Sequence, residues 1–308
     1  MQKLIILCGV SKSGKTLAAH ELSKEHDAKV FSYREYEQVL KERNQIRGGD
    51  SVYKKIFADM KKAIKSGKNV IYDSFNLTRR NRQRVLAEFS KINVEKIIYI
   101  MTTPLRECYK RNEMGFEKEE EIEIFKTSTD FEIPMEFEGF DKIFFYDHKN
   151  DQFPPQPNEE KINKLFDKTR FFIYRNRASS TLYNHLLECY DKLGVMADRN
   201  LKIAGLYHDI GKLFCETHDE ENFTHYYGHA NCGAYYLISH LDSIFNYGDP
   251  YTWDDIREIA FYINYHTKIK QLKTPNSKEK YKRLFGDKLF TRITHLTAAD
   301  EESYGDKF

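Results

Sequence analysis

The stretch from Leu4 to Thr16, LIILCGVSKSGKT, limits what this chain can fold into more than any other. Leu4 to Leu7 are apolar without a break, the pattern of a buried strand. They run into Gly9-Val10-Ser11-Lys12-Ser13-Gly14-Lys15-Thr16, a full match to the phosphate-binding loop G-x-x-x-x-G-K-[ST]. Gly9 and Gly14 let the backbone curl until several N–H groups face one anion. Lys15 has the reach for β- and γ-phosphates, and the Thr16 hydroxyl can ligate Mg²⁺. A helix opening near Gly14, with Leu17, Ala18 and Leu22 on one face, adds its positive end. The expected ligand is a nucleotide with Mg²⁺, bound by Gly9, Ser11, Lys12, Ser13, Gly14, Lys15 and Thr16.

At 308 residues, two domains are the default. A net charge of +2 announces no global basic field, so any nucleic-acid contact must use local patches. Cys8, Cys108, Cys189, Cys215 and Cys232 form no C-x-x-C pair, which argues against a disulfide framework or a zinc ribbon and for a reducing cytoplasm. The N-terminal apolar run is too short for a signal peptide, and none approaches membrane-spanning length.

Strand and helix patterns alternate through the first half. Strands are predicted at Lys29–Ser32, Asn69–Asp73, Glu95–Met101 and Gly139–Tyr146, with helices at Val52–Ile64, after Thr78, and ending at Lys110-Arg111-Asn112. The alternation predicts a parallel sheet with helices on both faces. Ser32 to Tyr36 would then lie at the carboxyl edge, where open α/β sheets place ligands. Pro154, Pro155 and Pro157 mark a linker. The expected boundaries are 1–152, a linker at 153–160, and 161–308. Lys164 to Arg177 mixes cations with aromatics, which suits single-stranded nucleic acid or an amphipathic core helix.

In GVSKSGKT, IYDSFNLTRRNR, TTPLRECYKRN and EGFDKIFFY, in that order, the first half resembles the P-loop kinases of the 5′-polynucleotide kinase type. The resemblance implies that Lys15 and Thr16 hold ATP and Mg²⁺. It puts Asp73 beside the metal or the acceptor hydroxyl, Arg111 in a lid over the phosphates, and Arg79 or Arg82 at the acceptor's phosphate. The family's aspartate base after the second strand is replaced here by Arg34, and Gly115 stands where a second lid arginine is usual. The base is then Glu35 with the backbone shifted by one residue, or Asp73, or none. Arg34 joins the candidate substrate-binding residues.

From Asn176 onward the pattern is helical. His185, His208-Asp209, His229, His266 and Asp300 carry the chemistry; Gly211 is read as supplying a turn, and His225 either as a hydrogen-bonded core residue or as one that reaches the site. Imidazole nitrogen with carboxylate oxygen suits divalent transition metals, and Asp209 can bridge two ions that share a hydroxide nucleophile. YNHLL, YHDIGK, YYGHANCGA and LTAAD resemble, in sequence and order, the HD phosphohydrolase superfamily. The resemblance implies an all-α HD domain in which His185, His208, Asp209 and Asp300 form the core metal set. His229 and His266 would complete a second metal, and Lys212 would face the substrate phosphate. Mn²⁺, Ni²⁺, Co²⁺, Fe²⁺ and Zn²⁺ are the candidate ions. Lys268 to Arg283 reads as a basic soluble loop or a guide for a strand.

Proteins joining the two modules resemble enzymes that heal nucleic-acid ends. The primary expectation is an ATP-dependent 5′-hydroxyl polynucleotide kinase joined to a metal-dependent 2′,3′-cyclic phosphodiesterase or phosphatase. It would act on RNA ends in preference to DNA, upstream of a ligase and away from membranes. The alternative is an HD hydrolase regulated by an ATP-binding domain without transfer activity. An RNA-binding adaptor with both sites retired is a third.

Overall fold

The computed structural model describes residues 1–45, 50–113, 118–146, 155–157, 169, 181–240, 245–247 and 251–303. It divides into two compact units, one of Met1–Thr127 and Pro134–Lys149, the other of Ser128–Ile133 and Asn150–Phe308. The proline-bearing linker is outside the described residues except at 155–157, and the stretch 164–177 is outside them except at Thr169.

The first unit is built on β1 (Gln2–Cys8), α1 (Lys15–Glu25), β2 (Ala28–Ser32), α2 (Tyr33–Glu42), α3 (Ser51–Lys65) and β3 (Asn69–Asp73). It continues through α4 (Arg79–Glu88), β4 (Val94–Met101), α5 (Leu105–Glu113), α6 (Lys118–Thr129) and β5 (Lys142–Tyr146). The five strands lie in the order β2-β3-β1-β4-β5, all parallel. Leu4 to Cys8 have no solvent exposure, as a central strand covered on both faces requires. Ala19 and Leu22 of α1 pack with Ile5, Leu7, Ile71 and Ile97. Phe57 of α3 meets Tyr72 and Phe89 edge-on, at 5.6 and 6.4 Å between centroids. Because β1 has β3 on one side and β4 on the other, the loop after β1 opens where the strand order reverses, the point at which open α/β sheets form their ligand crevice.

One strand boundary differs from expectation. Glu136–Glu138 form a 3₁₀ turn closed by Gly139 at φ 101°, so extended backbone begins only at Lys142.

The second unit is mainly helical: α7 (Leu182–Lys192), α8 (Arg199–Tyr207), α9 (His229–Ser239), α10 (Trp253–Lys270) and α11 (Pro275–Glu302). It is not wholly so. β6 (Pro155–Pro157) pairs with β9 (Phe245–Tyr247), and β7 (Thr217–His218) pairs with β8 (Thr224–His225), both antiparallel. The all-α expectation is corrected to that extent, because these short pairs satisfy backbone groups that no helix serves. The basic stretch 268–283 is also corrected. It is no loop but the end of α10, a short turn and the start of α11, whose Thr274 cap precedes Pro275 at the first helical turn. α11 is interrupted at Gly286, where φ is 79°.

Candidate functional site

The phosphate loop has the backbone its sequence demands. Lys12 and Gly14 take positive φ, 59° and 92°, so the chain turns back on itself before α1. A Cβ on Gly9 would stand 2.7 Å from Met101 Cβ and from Ser13 Oγ, so the turn admits only glycine. Lys15 is buried; its Nζ donates to the Val10 carbonyl at 2.7 Å and lies 4.7 Å from the Phe75 ring centroid. Burial pushes the Lys15 ammonium down to about 8, against the pull of Asp73. The Thr16 hydroxyl donates to Asp73 Oδ2 at 2.9 Å, which brings the candidate Mg²⁺ ligand to the carboxylate expected beside the metal or the acceptor hydroxyl. Ser13 Oγ is fully buried without a hydrogen-bond partner. An orphaned hydroxyl inside a ring of backbone amides fits a triphosphate.

The surrounding candidates divide. Arg111 Nη1 donates to the Lys12 carbonyl at 3.0 Å, so α5 does bring this cation to the loop. Arg34 and Glu35 occupy the first turn of α2, both exposed, and Arg34 Nη2 lies 4.0 Å from Glu123 Oε2. Arg79 is half-buried at the start of α4. Arg82 is a correction. It has no exposure; its Nε and Nη2 donate to Glu138 at 2.8 and 2.7 Å, and its Nη1 donates to the carbonyls of Asn76 and Leu77. Such a guanidinium ties the β3–α4 connection to the Glu136–Glu138 turn and is not available to an acceptor phosphate. The run Arg79-Arg80-Asn81-Arg82 mixes an interior cation with less buried ones, which spacing alone does not separate.

In the second unit five elements converge. His185 lies on the buried face of α7 with Leu182 and Cys189, under a Thr181 cap. His208 and Asp209 follow α8, His229 opens α9, His266 is on α10 and Asp300 on α11. One ligand atom from each of His185, His208, Asp209 and Asp300 falls within 4.8 Å of the others, and the same holds for Asp209, His229 and His266. Each imidazole is oriented from behind. The Nδ1–H groups of His208, His229 and His266 donate to the carbonyls of Gly205, Tyr226 and Ile263 at 2.7–2.8 Å. Ser303 Oγ donates to the Asp300 carbonyl, so it accepts from His185 Nδ1 at 2.9 Å. In the neutral imidazoles all four Nε2 atoms are then the lone-pair nitrogens, as ligating histidines require.

Those lone pairs face carboxylate oxygens. His185 Nε2 is 3.2 Å from Asp209 Oδ2 and 3.3 Å from Asp300 Oδ1; His208 Nε2 is 3.4 Å from Asp300 Oδ1; His229 Nε2 is 3.1 Å from Asp209 Oδ1. His185 and His208 put their Nε2 atoms 3.1 Å apart. Acceptors this close repel unless positive charge lies between them. Their spacing matches the ligand–ligand edge, about 3 Å, of an ion bound at about 2.1 Å. The donor set thus fits one or two divalent transition ions, with Asp209 reaching both groups.

Burial would raise the Asp209 and Asp300 carboxyls, but Lys212 and His208 beside Asp209, and His208 and His185 beside Asp300, hold both well below the usual carboxylate range. Burial alone would lower His185; Asp209 and Asp300 outweigh it and raise it, whereas burial prevails at His266. Lys212 ion-pairs with Asp209, and Lys270 with Asp300.

Two readings change. Gly211 supplies no left-handed turn; its Cβ would lie 2.0 Å from the His229 carbonyl and 2.7 Å from the Gly233 nitrogen, so it permits close packing on α9. His225 pairs with Asp219 at 2.7 Å and stacks on Tyr227 within the β7–β8 hairpin.

Three residues escaped the sequence reading. Lys270 is four residues after His266 on α10, a helical spacing that puts it on the same face. Ser303 is three residues after Asp300. Glu123 of α6 accepts from Ser11 Oγ at 2.7 Å, while Thr127, one turn on, accepts from the Ser11 amide at 3.0 Å. No motif marks Glu123, which lies in an acidic run.

Among the described residues no helix is long and apolar enough to cross a membrane. No curated protein matches the sequence. The fold is similar to solved structures of a sugar kinase from Janibacter sp. (14% identity, 47% of this chain and 86% of that one, TM-score 0.35) and a gluconokinase from Sinorhizobium meliloti (15%, 48% and 83%, 0.35). It is also similar to Chaetomium thermophilum Kti12 in complex with ADP-AlF3 (16%, 48% and 91%, 0.36). Residues 4–121 match the family described as an AAA domain. With the loop geometry above, that match marks the first unit as a P-loop nucleotide-binding domain, the kind of site that takes ATP with Mg²⁺.

Proposed function

We propose that the chain is an end-healing enzyme for nucleic acid. The first unit transfers the γ-phosphoryl group of ATP to a 5′-hydroxyl. The second is an HD-type hydrolase that opens a 2′,3′-cyclic phosphate and removes the resulting monoester. The observation that carries the hydrolase half is the set of four Nε2 lone pairs, each fixed from behind, aimed at two buried carboxylates. His185, His208, Asp209, His229, His266 and Asp300 would hold the ions, which supply Lewis acidity and a nucleophilic water. Lys212 and Lys270, at the edge of the cage, would exchange their carboxylate partners for substrate phosphate oxygens.

In the first unit, Thr16 and Asp73 would hold Mg²⁺, Lys15 would swing from the Val10 carbonyl to the β- and γ-phosphates, and Arg111 would close over them. Arg79 remains a candidate for the acceptor's phosphate. RNA is the preferred substrate, because cleavage that leaves a 2′,3′-cyclic phosphate requires a ribose 2′-hydroxyl. The two reactions leave a 3′-hydroxyl and a 5′-phosphate, the ends a ligase needs.

The test is a product assay on an oligoribonucleotide bearing a 5′-hydroxyl and a 2′,3′-cyclic phosphate, with ATP, Mg²⁺ and Mn²⁺ or Ni²⁺. Lys15→Ala should abolish 5′ labelling and spare cyclic-end opening; Asp209→Ala should do the reverse. A wild-type protein that leaves both ends unchanged refutes the proposal. Exposed Arg34 at the usual aspartate position favours a second reading, an ATP-regulated hydrolase without transfer. It predicts ATP-dependent changes in cyclic-end opening with no label on the 5′ end.

A further inference from the structure

The kinase half lacks the aspartate that its resemblance leads one to expect after β2, and the residue there, Arg34, is a cation. The geometry points to Glu123 of α6 as the catalytic base for the acceptor hydroxyl, with Arg34 as its charge partner; this rests on the kinase reading above.

Three contacts bear on Glu123. Its Oε2 accepts from the hydroxyl of Ser11, a residue of the phosphate loop itself, at 2.7 Å. Arg34 Nη2 lies 4.0 Å from the same oxygen. Both contacts are to Oε2. Thr127 accepts from the Ser11 amide at 3.0 Å, so α6 grips the loop through two side chains one turn apart. Glu123 is thus held on the loop by two anchors.

The other carboxylates are differently placed. Asp73 accepts from Thr16 Oγ1, which commits it to the metal side. Glu35 lies on the exposed first turn of α2. In this chain the position expected to be acidic carries a cation, Arg34, and the carboxylate beside that cation is Glu123. The cation comes from the first turn of α2, and the carboxylate comes from α6. A 5′-hydroxyl strand end presents both matching groups, a hydroxyl to be deprotonated and a neighbouring phosphodiester for a guanidinium.

The step balances as follows. Glu123 takes the proton of the acceptor O–H as the oxygen bonds to the γ-phosphorus. The bond from that phosphorus to the β,γ-bridging oxygen breaks, and ADP leaves with its electron pair. The carboxylic acid then returns its proton to water.

Glu123→Gln tests this in the full chain, with a 5′-hydroxyl oligoribonucleotide and ATP·Mg²⁺. The glutamine oxygen still accepts from Ser11, so the loop contact is retained and the KM for ATP should stay within twofold. The transfer kcat should fall by about 10²-fold or more, the usual worth of a general base. Glu123→Ala should be equally slow and should be accelerated by added acetate, which a purely structural role would not produce. Transfer by Glu123→Gln within threefold of wild type overturns the assignment. So does a large loss in Glu35→Gln beside an active Glu123→Gln. Absence of transfer in the wild type overturns the kinase reading, and the assignment with it.

Discussion

Replacing Arg82 separates a structural arginine from a substrate-binding one. The guanidinium makes two charge-assisted bonds to Glu138, at 2.8 and 2.7 Å, and caps the Asn76 and Leu77 carbonyls, with no exposure on either side chain of the pair. Arg82→Met has about the right volume but leaves the Glu138 carboxylate buried with only the Met135 amide, at 3.2 Å, as a donor. Breaking one side of a buried pair costs about 3–5 kcal/mol. At a urea m-value of about 2 kcal/mol/M, the midpoint should fall by roughly 1.5–2.5 M. Urea unfolding followed by circular dichroism measures this, and hydrogen exchange at residues 76–86 and 135–138 localises it. The double variant Arg82→Met with Glu138→Leu should recover most of the loss, because it removes both charges. A single variant that loses less than about 1 kcal/mol and instead binds the acceptor strand poorly would refute the reasoning.

Three other outcomes follow from the sites. Lys15 titrates near pH 8 in the free protein, and bound phosphates must raise it, so ATP affinity should be flat below pH 8 and fall as pH rises beyond it; calorimetry in buffers of different ionisation enthalpy should register proton uptake on that limb. Ser303→Ala removes the partner of His185 Nδ1 without touching a ligand, and should weaken the metal affinity of the cage about 10–100-fold, read by chelator competition. Gly211→Ala would drive a methyl to 2.0 Å from the His229 carbonyl, so it should displace His229 and Asp209 together, and elemental analysis of the purified variant should find substoichiometric transition metal.

Much of the first unit was legible in the sequence because its signals are local. Leu4 to Leu7 cannot be solvated, Gly9 and Gly14 permit backbone that other residues resist, and Thr78 caps the helix it precedes. The strand ends at Ser32 and Asp73 followed from apolar runs meeting polar residues, and the register pairs those two directly. The loss of three residues from β5 relative to expectation came from Gly139, whose positive φ extends the preceding turn. In the second unit, the apolar helical period around His185 put that residue on a buried face.

Charge partners were a different matter. Arg79, Arg80 and Arg82 are equivalent in a sequence window, yet Arg82 alone is sealed against Glu138, 56 positions away. Lys270 looked like one more cation in a basic stretch until α10 carried it to Asp300. Glu123 was hidden in an acidic run until α6 laid it on Ser11.

The order of residues by itself determined the phosphate loop, its flanking strand and helix, and the kinds of ligand atom in the second half, because each depends on neighbours within a turn or two of chain. Tertiary structure alone decided which ionisable groups meet. A salt bridge or a ligand cage depends on distances of a few ångströms between segments far apart in sequence, and local propensity holds no record of them.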